Sequence, residues 1–155
     1  MRKVIEMKKK SYRILGLVVL LIFGLVTLGG TVYGDSSKPG SDAKTQIIES
    51  ISAKEAFDLI QKNRDNPNFK LLDVRSPEEF GAENIQGAVN IDFYASNYVK
   101  RLKRLNKKKT YLLYCRSGNR SGQSLKLMKK LGFMEVYHMS GGMIEWKASG
   151  LSNNP

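Results

Sequence analysis

Thr110-Tyr111-Leu112-Leu113-Tyr114-Cys115-Arg116-Ser117-Gly118-Asn119-Arg120-Ser121 is the stretch on which the reading of this chain turns. Thr110 to Tyr114 reads as a buried strand. The residues after Ser121 carry Leu125, Met128 and Leu131 at helical spacing and read as a helix. A strand-end thiol, a turn containing glycine and a helix N-terminus together can form an anion cradle. Backbone N–H groups of the turn and first helical turn point inward, and the helix dipole adds positive potential. A thiol at the rim of such a cradle ionises more readily than a free cysteine, whose pKa is about 8.5. A cysteine ending an apolar strand is commonly just a small buried hydrophobe. Two arginines around a Ser-Gly-Asn turn tip the reading toward a nucleophile, because a structural turn needs no such concentration of anion donors.

Outward from this stretch, strands and helices alternate. Ser52-Ala53-Lys54-Glu55 is a capping box opening a helix through Ile60. Phe69 to Val74 is a strand, and Ser76-Pro77-Glu78-Glu79 starts a short helix with serine at N-cap, proline at N1 and glutamate at N3. Gly87 to Ile91 and Val136 to Met139 are further strands. Gly132 ends the helix that follows Cys115, and Gly141-Gly142 opens a terminal helix containing Trp146. Short apolar strands between helices predict an α/β fold with a parallel sheet covered on both faces. Functional groups of such sheets gather at the carboxyl ends of the strands, where both Cys115 and Asp73 fall.

The 155 residues hold one domain and an appendage. Residues 1–13 carry Arg2, Lys3, Lys8, Lys9, Lys10 and Arg13 against Glu6, and an apolar run follows from Ile14 to about Val32. Residues 1–34 therefore read as a signal peptide or a membrane anchor, 35–45 as a linker, 46–151 as the folded domain and 152–155 as a tail. The run is near the roughly 20 residues needed to span a bilayer, while Val32-Tyr33-Gly34 offers small residues for cleavage. Cleaved or retained, the basic flank predicts an extracytoplasmic domain, with the membrane a partner where the segment is kept. No cysteine adjoins the run, which argues against a lipoprotein anchor.

The chain carries a net charge of +12. Much of the excess in the domain lies in Lys100, Arg101, Lys103, Arg104, Lys107, Lys108 and Lys109. With Val99, Leu102 and Leu105 on one face, this reads as a solvated amphipathic helix, or as a patch for anionic lipid headgroups or small anions. A nucleic-acid partner is not expected, since no binding motif accompanies the cluster. A single cysteine excludes an intramolecular disulfide, and one histidine with one cysteine gives no zinc spacing. No metal and no cofactor are expected.

Four segments carry a resemblance. They are Leu71-Leu72-Asp73-Val74-Arg75-Ser76-Pro77-Glu78-Glu79-Phe80, Ile85 to Ile91, the loop Cys115 to Arg120, and Gly141-Gly142 followed by Trp146. In order and spacing, over roughly Ile47 to Leu151, they resemble the rhodanese domain. That resemblance implies a central parallel sheet of about five strands with helices on both faces. It also implies transfer of sulfane sulfur, through a persulfide on Cys115, from thiosulfate or a similar anionic donor to a thiophilic acceptor. The family commonly has Gly-His and then Ile-Pro-Gly-Ala before its third strand, where this chain has Glu83-Asn84-Ile85-Gln86-Gly87-Ala88.

Sulfur transfer needs a thiolate to attack the donor and a site to hold the terminal persulfide sulfur as an anion. Arg116, Ser117, Gly118, Asn119, Arg120 and Ser121 are the candidate substrate-binding residues. Their amides donate to the sulfur, Arg116 and Arg120 supply fixed charge, Gly118 permits the turn, Ser117 offers a hydroxyl and Ser121 caps the helix. Cysteine phosphatases separate cysteine and arginine by five residues; here four stand between Cys115 and Arg120. The shorter ring suits one sulfur better than a phosphoryl group, and no acidic residue is expected in or beside the loop to act as general acid. Asp73 reads as capping a turn or pairing with a nearby arginine such as Arg75, rather than tuning Cys115; His138 reads as a packed core position and Trp146 as core. Two functions fit: a thiosulfate sulfurtransferase, or a sulfur-relay or redox-sensing module that hands the Cys115 persulfide to a protein partner.

Overall fold

A computed structural model describes residues 45–155; the leader or anchor, 1–34, and all but the last residue of the linker lie outside the described residues. The elements are β1 (Ile47–Ile51), α1 (Ala53–Lys62), β2 (Phe69–Asp73), α2 (Pro77–Ala82), β3 (Val89–Asn90), α3 (Tyr98–Lys103), β4 (Thr110–Tyr114), α4 (Asn119–Lys130), β5 (Glu135–Met139) and α5 (Gly142–Ala148). Five strands form one sheet in the order β1-β5-β4-β2-β3, every pair parallel. The predicted α/β class and five-stranded sheet are what the structure has.

The central strands explain the two-faced covering. On β4, Tyr111 and Leu113, with Cys115 just beyond, face a core containing Leu72, Val74, Ile91, Tyr98, Leu102, Leu125, Met128, Phe133 and Val136. Leu112 and Tyr114 face the other core, with Ala53, Ala56, Ile60, Phe69, Leu71, Met143 and Trp146. A strand buried on both sides carries a near-continuous apolar run, and β4 does from Tyr111 to Tyr114, after the half-buried Thr110.

Both capping boxes form: Ser52 with Glu55 ahead of α1, and Ser76 with Glu79 ahead of α2. Three local expectations differ. β1 was not anticipated as a strand; it is an edge strand with Ile47, Glu49 and Ser50 exposed, so it shows no clean alternation. α4 begins at Asn119, so the loop is shorter than the sequence suggests. The buried residues of α3 are Tyr98 and Leu102, whereas Val99 is 43 % exposed. Of the basic cluster, Arg101 donates to Asn90 O at 3.0 Å and Lys109 to Pro67 O at 3.1 Å, so part of it ties connections together.

The departure before β3 has a use. Gln86, standing where proline is common, has an N–H that donates to Asn153 O at 2.7 Å. Asn153 also accepts from Trp146 Nε1 and donates to Glu83, so residues 152–155 are docked onto the domain.

Candidate active site

Cys115 follows β4 at the carboxyl end of the sheet, and the next residues wrap it before α4 starts. Two glycines set the path. Gly118 has φ +87°, and a Cβ there would lie 1.6 Å from Ser140 O, a position no other residue fits. Gly142 has φ +58°, and a Cβ would fall 2.5 Å from Cys115 O. This close approach lets α5 donate Met143 N–H to Cys115 O at 2.9 Å and Ile144 N–H to Arg116 O at 3.0 Å. In a planar trans peptide the N–H points opposite to the C=O. Capturing these two carbonyls therefore turns the N–H groups of Arg116 and Ser117 away from α5, to the inside of the loop. Gly142 is thus part of how the cradle is built.

The thiol is at the floor of the loop rather than its rim: Cys115 is 1 % exposed and joins the core cluster. The expected rim position is corrected by the tight seating of α5 against the loop. Burial pushes the thiol's pKa up, but the N–H and hydroxyl of Ser121 and the N–H groups of Ser117 and Gly118 outweigh it, leaving the thiol below its ordinary value. A thiol so surrounded ionises more readily than its burial alone would allow.

Ser121 does not cap α4; Gly118 stands at the N-cap position. Ser121 lies inside the first turn, buried, with Oγ 3.6 Å from Cys115 Sγ and 3.1 Å from Gly118 O. Asn119 is exposed, and its Oδ1 accepts from Gln123 Nε2 at 2.7 Å on the outside of the helix. Arg116 and Ser117 are exposed beside the loop. Arg120 donates from both terminal nitrogens to Glu79, at 2.6 and 2.8 Å, and lies 5.6 Å from the centroid of the Tyr94 ring.

Glu79 corrects the expectation that no acidic residue stands beside the loop. The folding of α2 brings its first turn to Arg120, and one carboxylate serves both the capping box and the ion pair. The Arg120 hydrogen bonds dominate the other influences and hold this carboxyl at about 2, so it is ionised and cannot act as a general acid near neutrality. The Glu79 hydrogen bonds likewise raise the Arg120 pKa.

Asp73 pairs with Arg75 as expected. Arg75 Nε lies 3.0 and 2.9 Å from the two carboxylate oxygens, its backbone N–H donates to Oδ1 at 2.8 Å, and its Nη2 donates to Glu83 O at 2.6 Å. The pair is buried and fastens β2 to the end of α2. His138 is buried too, but not only packed: Nδ1 is 3.3 Å from Ser121 Oγ and Nε2 is 2.9 Å from Ser50 Oγ. Only the three-dimensional pairing of β1, β5 and α4 discloses this connection to the cysteine. A cleft of about 580 Å³, lined by residues including Asn63, Phe69, Lys70 and Gly87, lies at the opposite, amino end of β2. Among the described residues no group of His, Cys, Asp and Glu side chains could hold a metal.

The family model described as Rhodanese-like domain matches residues 56–149. A protein named Sulfurtransferase from Allochromatium vinosum is 30 % identical over 93 residues, covering 60 % of this chain and 85 % of its own. A putative sulfur carrier protein, YrkF, from Bacillus subtilis is 36 % identical over 117 residues, 76 % of this chain and 62 % of that protein. Of other curated relatives the chain spans about a quarter to three-fifths of the length. The crystal structure of a rhodanese-related protein from Thermoplasma volcanium superposes with a TM-score of 0.55 at 29 % identity, over 67 % of this chain and 95 % of that one.

Proposed function

The chain belongs to the rhodanese-like domain family, and on that footing we propose that it transfers sulfane sulfur through a persulfide on Cys115. The observation that carries the reading is the convergence of the Ser117, Gly118 and Ser121 N–H groups on a buried thiol whose pKa they lower. The Cys115 thiolate attacks the outer sulfur of thiosulfate. A sulfur–sulfur bond forms to Cys115, the bond to the sulfonate sulfur breaks, and sulfite departs with the electron pair. The terminal sulfur of Cys115 keeps one negative charge, which the inward amides stabilise. A thiophilic acceptor such as cyanide then takes that sulfur and returns the thiolate. No proton moves in either step, so an ionised Glu79 is no obstacle.

A second reading draws on the rim. Glu79 balances the charge of Arg120, which leaves less positive charge for a doubly charged donor. Tyr94, 72 % exposed, lies against Arg120, and Ile144, 54 % exposed, follows the Gly142 approach. Large exposed apolar side chains beside a nucleophile suit contact with a protein that gives or receives sulfur, the relay alternative. The basic leader and apolar run support an extracytoplasmic location for either activity, with a membrane partner where the segment is retained.

Steady-state thiocyanate formation from thiosulfate and cyanide separates the two. Turnover abolished by Cys115→Ser supports the enzyme. A Cys115 that accepts sulfur but turns over negligibly with these small molecules supports the relay.

A further inference from the structure

Ser121 has one hydroxyl hydrogen and several neighbours competing for it. Its Oγ lies 3.6 Å from Cys115 Sγ, 3.1 Å from Gly118 O and 3.3 Å from His138 Nδ1. Gly118 O already accepts the Gly122 N–H at 2.8 Å. What Ser121 does for the sulfur therefore depends on which ring nitrogen of His138 carries hydrogen. With Nδ1 bare, the imidazole draws the hydroxyl hydrogen away from the cysteine. With hydrogen on Nδ1, the ring donates to Ser121 Oγ and leaves the hydroxyl hydrogen for the sulfur. On the far side, Ser50 Oγ at 2.9 Å from Nε2 can donate to that nitrogen, completing the arrangement.

The ring is held for this task. His138 pairs in register with Ser50 on β1 and Leu113 on β4 and is 8 % exposed. A Cβ built on Gly122 would lie 3.4 Å from His138 Cε1, so the first turn of α4 sits directly over the imidazole. We propose that His138 is a positioning residue for the nucleophile: as the neutral Nδ1–H tautomer it donates to Ser121 Oγ and directs the Ser121 hydroxyl hydrogen onto Cys115 Sγ. Burial lowers the pKa of the ring, which favours the neutral form. Glu135 and Tyr137, its neighbours on β5, alternate to the opposite face of the sheet, and Glu49 on β1 is in register with Tyr137. The ionisable groups facing the sulfur are Arg120 from α4 and Tyr98 from α3.

The inference rests on reading Cys115 as a nucleophile, but its test uses no sulfur donor. The chain has one histidine, so the ring nitrogens of tag-free, full-length, ¹⁵N-labelled protein give one pair of NMR signals. We expect a protonated Nδ1 and a bare Nε2 where Cys115 is ionised; the reverse tautomer overturns the proposal. Ser121→Ala and His138→Leu should each raise the pH midpoint of Cys115 alkylation by about one unit, roughly a tenfold loss of thiolate near neutrality. The double variant should shift no further than either alone. His138→Asn, whose amide N–H stands where Nδ1–H does, should return the midpoint most of the way to the parent value. Additive shifts, or an unchanged midpoint in a folded His138→Leu, overturn it. If His138→Leu does not fold, the tautomer and the asparagine variant decide. A normal midpoint without sulfur transfer would instead count against the proposed function alone.

Discussion

Glu79→Gln isolates the charge that holds the second loop arginine, because glutamine keeps the N3 hydrogen bond of the capping box. The carboxyl falls from an ordinary 4.5 to about 2 in the folded protein, chiefly through its Arg120 hydrogen bonds. At 1.36 kcal/mol per unit this sets a ceiling of about 3 kcal/mol. The raised pKa of Arg120 reports the same pair and adds nothing further. The Glu79 side chain is 32 % exposed, so solvent screening reduces the expected loss to about 1–2 kcal/mol. A depressed folded pKa gives stability that is complete above the unfolded value and fades as pH falls through the folded one. The gap between parent and variant in urea unfolding should therefore be full at pH 7 and reduced by about half or more at pH 3. The variant also leaves Arg120 uncompensated beside Cys115, so the KM for thiosulfate should fall. A stability gap of equal size at both pH values would refute the ion pair as its origin.

Three further outcomes are expected. Gly118→Ala should destabilise the domain by more than about 2 kcal/mol and abolish sulfur transfer, because its Cβ meets Ser140 O; Gly132→Ala, also at positive φ but in open space, should cost about 1 kcal/mol and spare activity, both read by urea unfolding and turnover. Inserting a glycine between Asn119 and Arg120 should abolish sulfur transfer, since it turns Arg120 away from Glu79 and alters the loop's convergence; full retained activity would refute the loop-size argument. Protease added to intact spheroplasts should degrade the domain, whereas protection that is lost on lysis would place it in the cytoplasm.

Much of the fold was legible because β2 and β4 are buried on both faces and are punctuated by two serine capping boxes, signals that are local in the sequence. β1 was not, since an edge strand owes its existence to pairing with β5 and its residues are half solvated. Within the site, the cysteine, the turn glycine and the order strand, turn, helix could be read from adjacent residues. The partners that govern the loop could not: Glu79 reaches Arg120 across 41 positions, and Ser50 reaches His138 across 88. Glu79 already had a sufficient local reason to be glutamate, as the N3 residue of a cap, which concealed its second contact. His138 on an apolar strand pattern read as core, and it is buried; its connection to Ser121 exists only once α4 is laid over β5. The paired glycines were visible, but that Gly142 brings α5 onto the carbonyls of Cys115 and Arg116 required the folded loop.

The most direct test is the intact mass of the purified full-length protein before and after thiosulfate, with cyanide added last. The parent chain should gain one sulfur atom, removed by cyanide, and Cys115→Ser should gain none. A parent chain that gains no sulfur from thiosulfate or from a low-molecular-weight persulfide, while Cys115 still alkylates readily, would contradict sulfur transfer through Cys115.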